Sequence, residues 1–156
     1  MRKIFFLIFF ISIFLGAKTM EINNEAKKVI HQYAEIIDSR NFNELDSIMW
    51  PDFSMTGGYD LKGIEGFMGA MDYLVATYSK TMHFIGNIDG SWDGDIYQGK
   101  TYCIASHIFE DNGTMKKLDM GIIYEDTLER RGGIVKFVNR DFNLQWQKTE
   151  TIDSFE

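Results

Sequence analysis

A phenol, a carboxylate and two imidazoles are the side chains of this sequence that could move protons. Tyr33 and Asp38 lie in the segment His31-Gln-Tyr-Ala-Glu-Ile-Ile-Asp38. His83 follows in Thr81-Met-His83, and His107 comes later. Five residues along a helix is a rotation of about 140°. Tyr33 and Asp38 therefore reach one cavity only where the helix end borders it. Asp38 is expected near a helix C-terminus, where the dipole opposes a negative charge. Partial burial acts in the same direction, and together they raise its pKa toward that of a proton acceptor near neutral pH. The alternative is a solvated helix-end aspartate of ordinary acidity.

Strand alternation puts Thr81, His83, Ile85 and Asn87 on one face, as a pocket wall, and Met82, Phe84 and Ile88 on the other, as an outer core layer. Asp38 acts alone or through His83, with the carboxylate fixing the imidazole tautomer. A structural histidine is the competing reading. The Tyr33 hydroxyl either stabilises developing charge on a substrate oxygen or is a satisfied core phenol. His107 shares a strand face with Cys103, Ala105 and Phe109, where small residues leave room for a ligand. It is read either as a catalytic partner or as a rim histidine. Trp50, Phe53, Tyr59, Phe67, Met68, Met71 and Trp146 join Cys103 and Ala105 as candidate lining for an apolar small molecule. Arg140 either pairs with an acid in the cavity or lies on an outer strand.

The elements that must position these groups are legible in the spacing. Ile22, Ala26, Val29, Ile30, Tyr33, Ile36 and Ile37 predict an amphipathic helix over 22–39. Asn41 is a natural N-cap for a short second helix, which Pro51 ends. Phe53-Ser-Met reads as a short strand. Residues 62–78 carry a third helical pattern. From residue 81 the period becomes two. The stretches 81–92, 97–110, 115–130 and 134–148 are separated by Asp93-Gly-Asp95, Asp111-Asn-Gly113 and Arg131-Gly-Gly133, all hairpin signals. Their length calls for strong curvature or bulges. Helices first and an antiparallel meander second is an α+β order, with the helices on the concave face of a bent sheet. The tail after Thr149 is expected to fray.

The 156 residues carry a net charge of -7 and suit one domain with a sizeable core. No basic cluster is present, so nucleic acid is not expected as a partner. Cys103 is the only cysteine, so no intrachain disulfide can form. Without a CxxC or HExxH spacing, neither a metal nor a cofactor is expected. Residues 1–17 have the layout of a secretory signal: Arg2-Lys3, an apolar run from Ile4 to Leu15 broken only by Ser12, and Gly16-Ala17. The run is too short to span a membrane. The expectation is an exported, periplasmic or secreted domain over 18–156, with an uncleaved N-terminal anchor as the alternative.

This order of elements, with particular residues in it, resembles the SnoaL-like branch of the nuclear transport factor 2-like superfamily. The residues are Tyr33-Ala-Glu-Ile-Ile-Asp38, Asn41-Phe-Asn-Glu-Leu45, Trp50-Pro-Asp-Phe53, Gly63-Ile-Glu-Gly-Phe67, Thr81-Met-His-Phe-Ile-Gly-Asn87, Gly121-Ile-Ile-Tyr124, Gly132-Gly133, Arg140 and Trp146. The resemblance implies a cone-shaped α+β barrel, cystatin-like in outline, with three helices on a curved sheet. It also implies cofactor-independent dehydratase or isomerase chemistry. Tyr33, Asp38 and His83 match the catalytic tyrosine, aspartate and histidine of the bile-acid dehydratases. Ala105 stands where those enzymes have a second aspartate, and Leu144 stands near their arginine. His107 matches the second histidine of scytalone dehydratases. Three uses of the fold remain open at this point: a lyase or isomerase, a non-catalytic binder of a hydrophobic molecule, and a homodimer formed through the sheet face.

Overall fold

A computed structural model describes residues 24–153. The expected signal segment, 1–17, lies outside them. The first helix, α1, occupies 24–39 among the described residues. Ala26, Val29, Ile30, Tyr33, Ile36 and Ile37 are all buried, at the spacing of a single helical stripe. A 3-10 turn over Phe42–Glu44 and a one-turn helix α2, Leu45–Ile48, follow. Asn41 does not cap this helix; its amide side chain bonds Glu44 Oε1 instead, at 2.6 Å.

The helix has already ended at Ile48, so Trp50 and Pro51 fall inside a strand, β1 (Met49–Thr56). This strand is longer than the expected Phe53–Met55, because it pairs in parallel with the last strand as well as with β2 (Leu61–Lys62). Its pairing with the last strand is irregular between Met49 and Ser54. Pro51, which has no N–H to contribute to a ladder, sits in that gap. Helix α3, Gly63–Thr77, buries Phe67 and Met71.

The rest is a meander of long strands: β3 (Lys80–Asp93), β4 (Ile96–Asp111), β5 (Thr114–Arg131) and β6 (Ile134–Thr151). Two of its hairpins turn on Asn112-Gly113 and Gly132-Gly133, with every φ positive (52°, 76°, 59° and 84°). That is the type I′ geometry whose twist matches the flanking strands. The sheet order is β2-β1-β6-β5-β4-β3, mixed and open rather than a closed barrel. β6 runs past Thr149, where fraying was expected, because Glu150 and Thr151 still pair with Lys117 and Lys116.

Three register shifts, one between β3 and β4 and two between β5 and β6, bend the sheet. The first overturns part of the expected alternation. It falls between Ile85 and Ile88, so Thr81, His83 and Ile85 face the helices while Asn87 turns outward and Ile88 turns in. The expected outer core layer is not a core at all: Met82 and Phe84 are 60% and 66% exposed.

Candidate active site

Asp38 is in the last turn of α1, and His83 is four residues into β3. The Asp38 carboxylate grips His83 at two points. Oδ1 lies 2.7 Å from the ring Nδ1, and Oδ2 accepts the backbone N–H of His83 at 2.7 Å. The Thr81 hydroxyl donates to Oδ1 at 2.9 Å. Burial pushes the Asp38 carboxyl upward, but the hydrogen bonds from His83 and Thr81 outweigh it and hold the carboxyl below its ordinary value. The expectation of a raised pKa is thereby overturned: a helix C-terminus opposes charge weakly, whereas three donors on one carboxylate stabilise the ion directly. Asp38 does not line the cavity. It holds His83 at Nδ1, and the His83 side chain lines the cavity.

That cavity has a volume of about 200 Å³ and lies between α1, α3 and the helix-covered face of the sheet. Tyr33, His83, Ala105 and His107 line it, with Tyr59, Phe67 and Met71 from the opposite side. Ala105 pairs directly with His83 across β3 and β4, so no second carboxylate stands beside the imidazole. The rings of Tyr33 and His107 flank His83 edge-on, with centroids 6.3 Å and 6.1 Å away. Burial pushes the Tyr33 phenol up to about 12 against the pull of the Arg140 charge, so its hydroxyl stays a hydrogen-bond donor. Burial, and then the charge of nearby His83, pull His107 down to about 4. His107 is therefore a neutral imidazole at pH 7. Its Nδ1 is buried without a hydrogen-bond partner among the described residues, an uncommon state for a polar atom.

Several expected lining residues lie elsewhere. Trp50 is on the surface, its indole N–H bonded to the Glu129 carbonyl at 3.0 Å and its ring flanked by Arg131 and Lys136. Phe53 is buried behind Phe67 in the core, and Met68 packs against that core without reaching the cavity. Cys103 is buried in the core on the same strand face as Ala105, its thiol pushed up to about 12 by loss of water, and it does not line the cavity. Trp146 is on the outer face, because the extra residue at Gln145 in β6 flips it away from the helices.

Arg140 is fully buried, as an inward position on β6. It donates to Asp126 from Nε at 2.7 Å and from Nη2 at 2.9 Å. Thr101 donates to the same carboxylate at 2.7 Å. The guanidinium lies 4.2 Å from the centroids of both Tyr33 and Tyr124. It is thus a cation beneath the cavity floor and not in its wall. Asp126 as its partner carried no motif in the sequence, and only the inward register of two bulged strands brings the two together. The lining also includes Tyr78, Tyr124 and Phe142. Tyr78 ends α3 and packs its ring at a tilt of 59° against His107, with centroids 4.7 Å apart.

A curved sheet wrapped on three helices, with a carboxylate-held imidazole beside an apolar hollow, defines a cone-type α+β protein. The chain belongs to the SnoaL-like domain family, which matches residues 18–141. None of the curated proteins searched matches the sequence. Solved structures share the fold at low identity. Hexachlorocyclohexane dehydrochlorinase LinA-type3 from Novosphingobium barchaimii LL02 superposes with a TM-score of 0.76 at 18% identity, covering 88% of this chain and 95% of that one. A protein of Novosphingobium aromaticivorans DSM 12444, provisionally assigned as a scytalone dehydratase, gives 0.76 at 14%, covering 88% and 94%. A protein of unknown function with a cystatin-like fold from Nostoc punctiforme PCC 73102 gives 0.62 at 13%, covering 79% and 90%.

Proposed function

We propose that this chain is an exported, cofactor-independent lyase that eliminates HX from a small neutral molecule. His83 Nε2 takes a proton from a carbon of the substrate. Asp38 holds the Nδ1–H and stabilises the imidazolium as it forms. Tyr33 and His107 hydrogen-bond the oxygen or leaving group on the neighbouring atoms. The electron pair of the broken C–H bond becomes the new double bond, and X leaves with its own pair and picks up the proton. The observation that carries this reading is the double grip of Asp38 on His83, which leaves one imidazole nitrogen for the cavity.

The size of the cavity bounds the substrate. An apolar cavity of about 150 Å³ holds benzene, so about 200 Å³ suits one substituted ring rather than four fused ones. Among the described residues no aspartate, glutamate, lysine or arginine lines it, which favours an uncharged molecule. Elimination is preferred to isomerisation because the fold relatives include a dehydrochlorinase and a provisionally assigned dehydratase. Export rests on the layout of residues 1–17, and the family match begins at residue 18.

The ring opening of 5-nitrobenzisoxazole tests the reading, since this small neutral bicycle needs only a base and a dry pocket. The expected result is catalysis by the wild-type chain that is lost in His83→Ala. Turnover that His83→Ala leaves unchanged would remove the reading.

A second reading, compatible with the first, is a homodimer through the sheet. Phe84, Ile104, Gly121 and Trp146 are cross-strand partners in one line over four strands. The first, second and fourth are exposed on the outer face, and Trp146 lies so close over Gly121 that a Cβ there would clash with the indole. No helix among the described residues is long and apolar enough to cross a membrane.

A further inference from the structure

Helix α1 ends in a Schellman motif: Asn41 N–H donates to the Ile36 carbonyl at 3.1 Å, and Arg40 N–H to the Ile37 carbonyl at 3.4 Å. The residue at the left-handed position of this motif is ordinarily glycine. Here it is Arg40, with φ of +64°. A side chain at this position carries a steric penalty that glycine avoids. A strained residue beside a candidate site calls for an account of what its side chain does.

Its guanidinium folds back over the helix end. Nη1 donates to the Ile37 carbonyl at 2.8 Å and to the Thr81 hydroxyl at 2.8 Å, and Nη2 to the Tyr78 carbonyl at 3.4 Å. Arg40 thus ties together the end of α1, the end of α3 and the start of β3. The bond to Thr81 has a chemical consequence. A hydroxyl has one proton to give. With Arg40 donating to its oxygen, Thr81 directs that proton to Asp38 Oδ1, 2.9 Å away. Asp38 Oδ1 is then met by a donor from Thr81 and faces His83 Nδ1 as an acceptor, while Oδ2 takes the backbone N–H.

We propose that Arg40 is a positioning residue of this site, acting through Thr81 and Asp38 to hold His83 in the tautomer that presents a bare Nε2 to the cavity. The proposal rests on the base assigned to His83 above, and it adds a link three residues removed from the substrate.

The test uses the full chain labelled with ¹⁵N and the variants Arg40→Gly, Arg40→Lys and Thr81→Val. Long-range ¹H–¹⁵N spectra report the His83 tautomer, and 5-nitrobenzisoxazole reports the base. Arg40→Gly suits the local backbone, so its thermal midpoint is expected at or above that of the wild type. His83 nevertheless becomes a mixture of tautomers, and ring opening falls about tenfold, as loss of an outer hydrogen-bond partner commonly does. Arg40→Lys keeps a charge and a donor and recovers part of the rate. Thr81→Val leaves the helix end intact and reproduces the Arg40→Gly result, so the test holds even if Arg40→Gly folds poorly. A single Nδ1–H tautomer with wild-type rate in Thr81→Val, or in a folded Arg40→Gly, overturns the proposal. If His83→Ala opens the probe as fast as wild type, the lyase reading falls, and the tautomer spectra still decide the role of Arg40.

Discussion

Asp38 binds both the ring and the backbone of His83: Oδ1 lies 2.7 Å from Nδ1, and Oδ2 lies 2.7 Å from the amide nitrogen. The ring is therefore fixed in rotation and in tautomer by one carboxylate, which is the arrangement a histidine base requires.

This double grip separates two substitutions that remove the same charge. In Asp38→Asn, the amide oxygen still accepts the His83 backbone N–H, so the NH₂ faces Nδ1 and demands that it be the acceptor. The proton moves to Nε2 and the base is blocked. Asp38→Ala only loosens the ring. Asp38→Asn is expected to lower the rate of 5-nitrobenzisoxazole opening by about 10⁴-fold, as when an orienting aspartate is made an amide elsewhere, and Asp38→Ala by a smaller factor. Equal losses in the two variants would argue against a tautomer role.

His107 sets a pH window for stability. Its folded pKa, about 4, lies below its ordinary 6.5, so the unfolded chain binds the proton first. Its contribution is fully present above pH 6.5 and is lost as pH falls toward 4. The shift is worth roughly 3 kcal/mol. Urea melts of the wild type should weaken across that window, and His107→Phe should flatten the slope there. Asp38, whose folded pKa is lowered below 3.8, contributes above 3.8 and is lost below it.

The ion pair under the cavity floor makes a prediction about stability. Arg140 and Asp126 side chains are both fully buried. Burial works against the Arg140 cation, but Asp126 more than compensates and raises its pKa. Asp126→Ala strands that cation and should cost about 3–5 kcal/mol in urea unfolding. Arg140→Met with Asp126→Leu removes both charges and should cost much less.

The outer face can be tested separately from the chemistry. Phe84→Lys places a charge in the apolar line of Phe84, Ile104 and Trp146 without touching the cavity. Light scattering should show self-association weakened about tenfold or more, while the rate of ring opening per chain is unchanged.

The helices and the meander were legible because their hydrophobic periods are long and uninterrupted. Gly132-Gly133 and Asn112-Gly113 marked their hairpins, since few other pairs tolerate two positive φ angles. Tyr33, His83, Tyr59, Phe67, Met71 and Ala105 line the cavity. What sequence could not carry was register. One extra residue between Ile85 and Ile88 turned Asn87 out, and another at Gln145 turned Trp146 out. A period of two has no means of anticipating such slips. Asp38 was misjudged for a related reason: its donors, Thr81 and His83, come from a strand more than forty residues away. Arg40 gave no signal either, because a left-handed helix end is normally read from glycine.

The account depends on His83 removing a proton from carbon inside the cavity. Proton NMR of cyclohexanone in D₂O with the wild-type chain and with His83→Ala measures that step alone, without a leaving group. The account predicts that the wild type replaces the protons next to the carbonyl with deuterium well above the solution rate, and that His83→Ala does not. Equal exchange by the two proteins would contradict it.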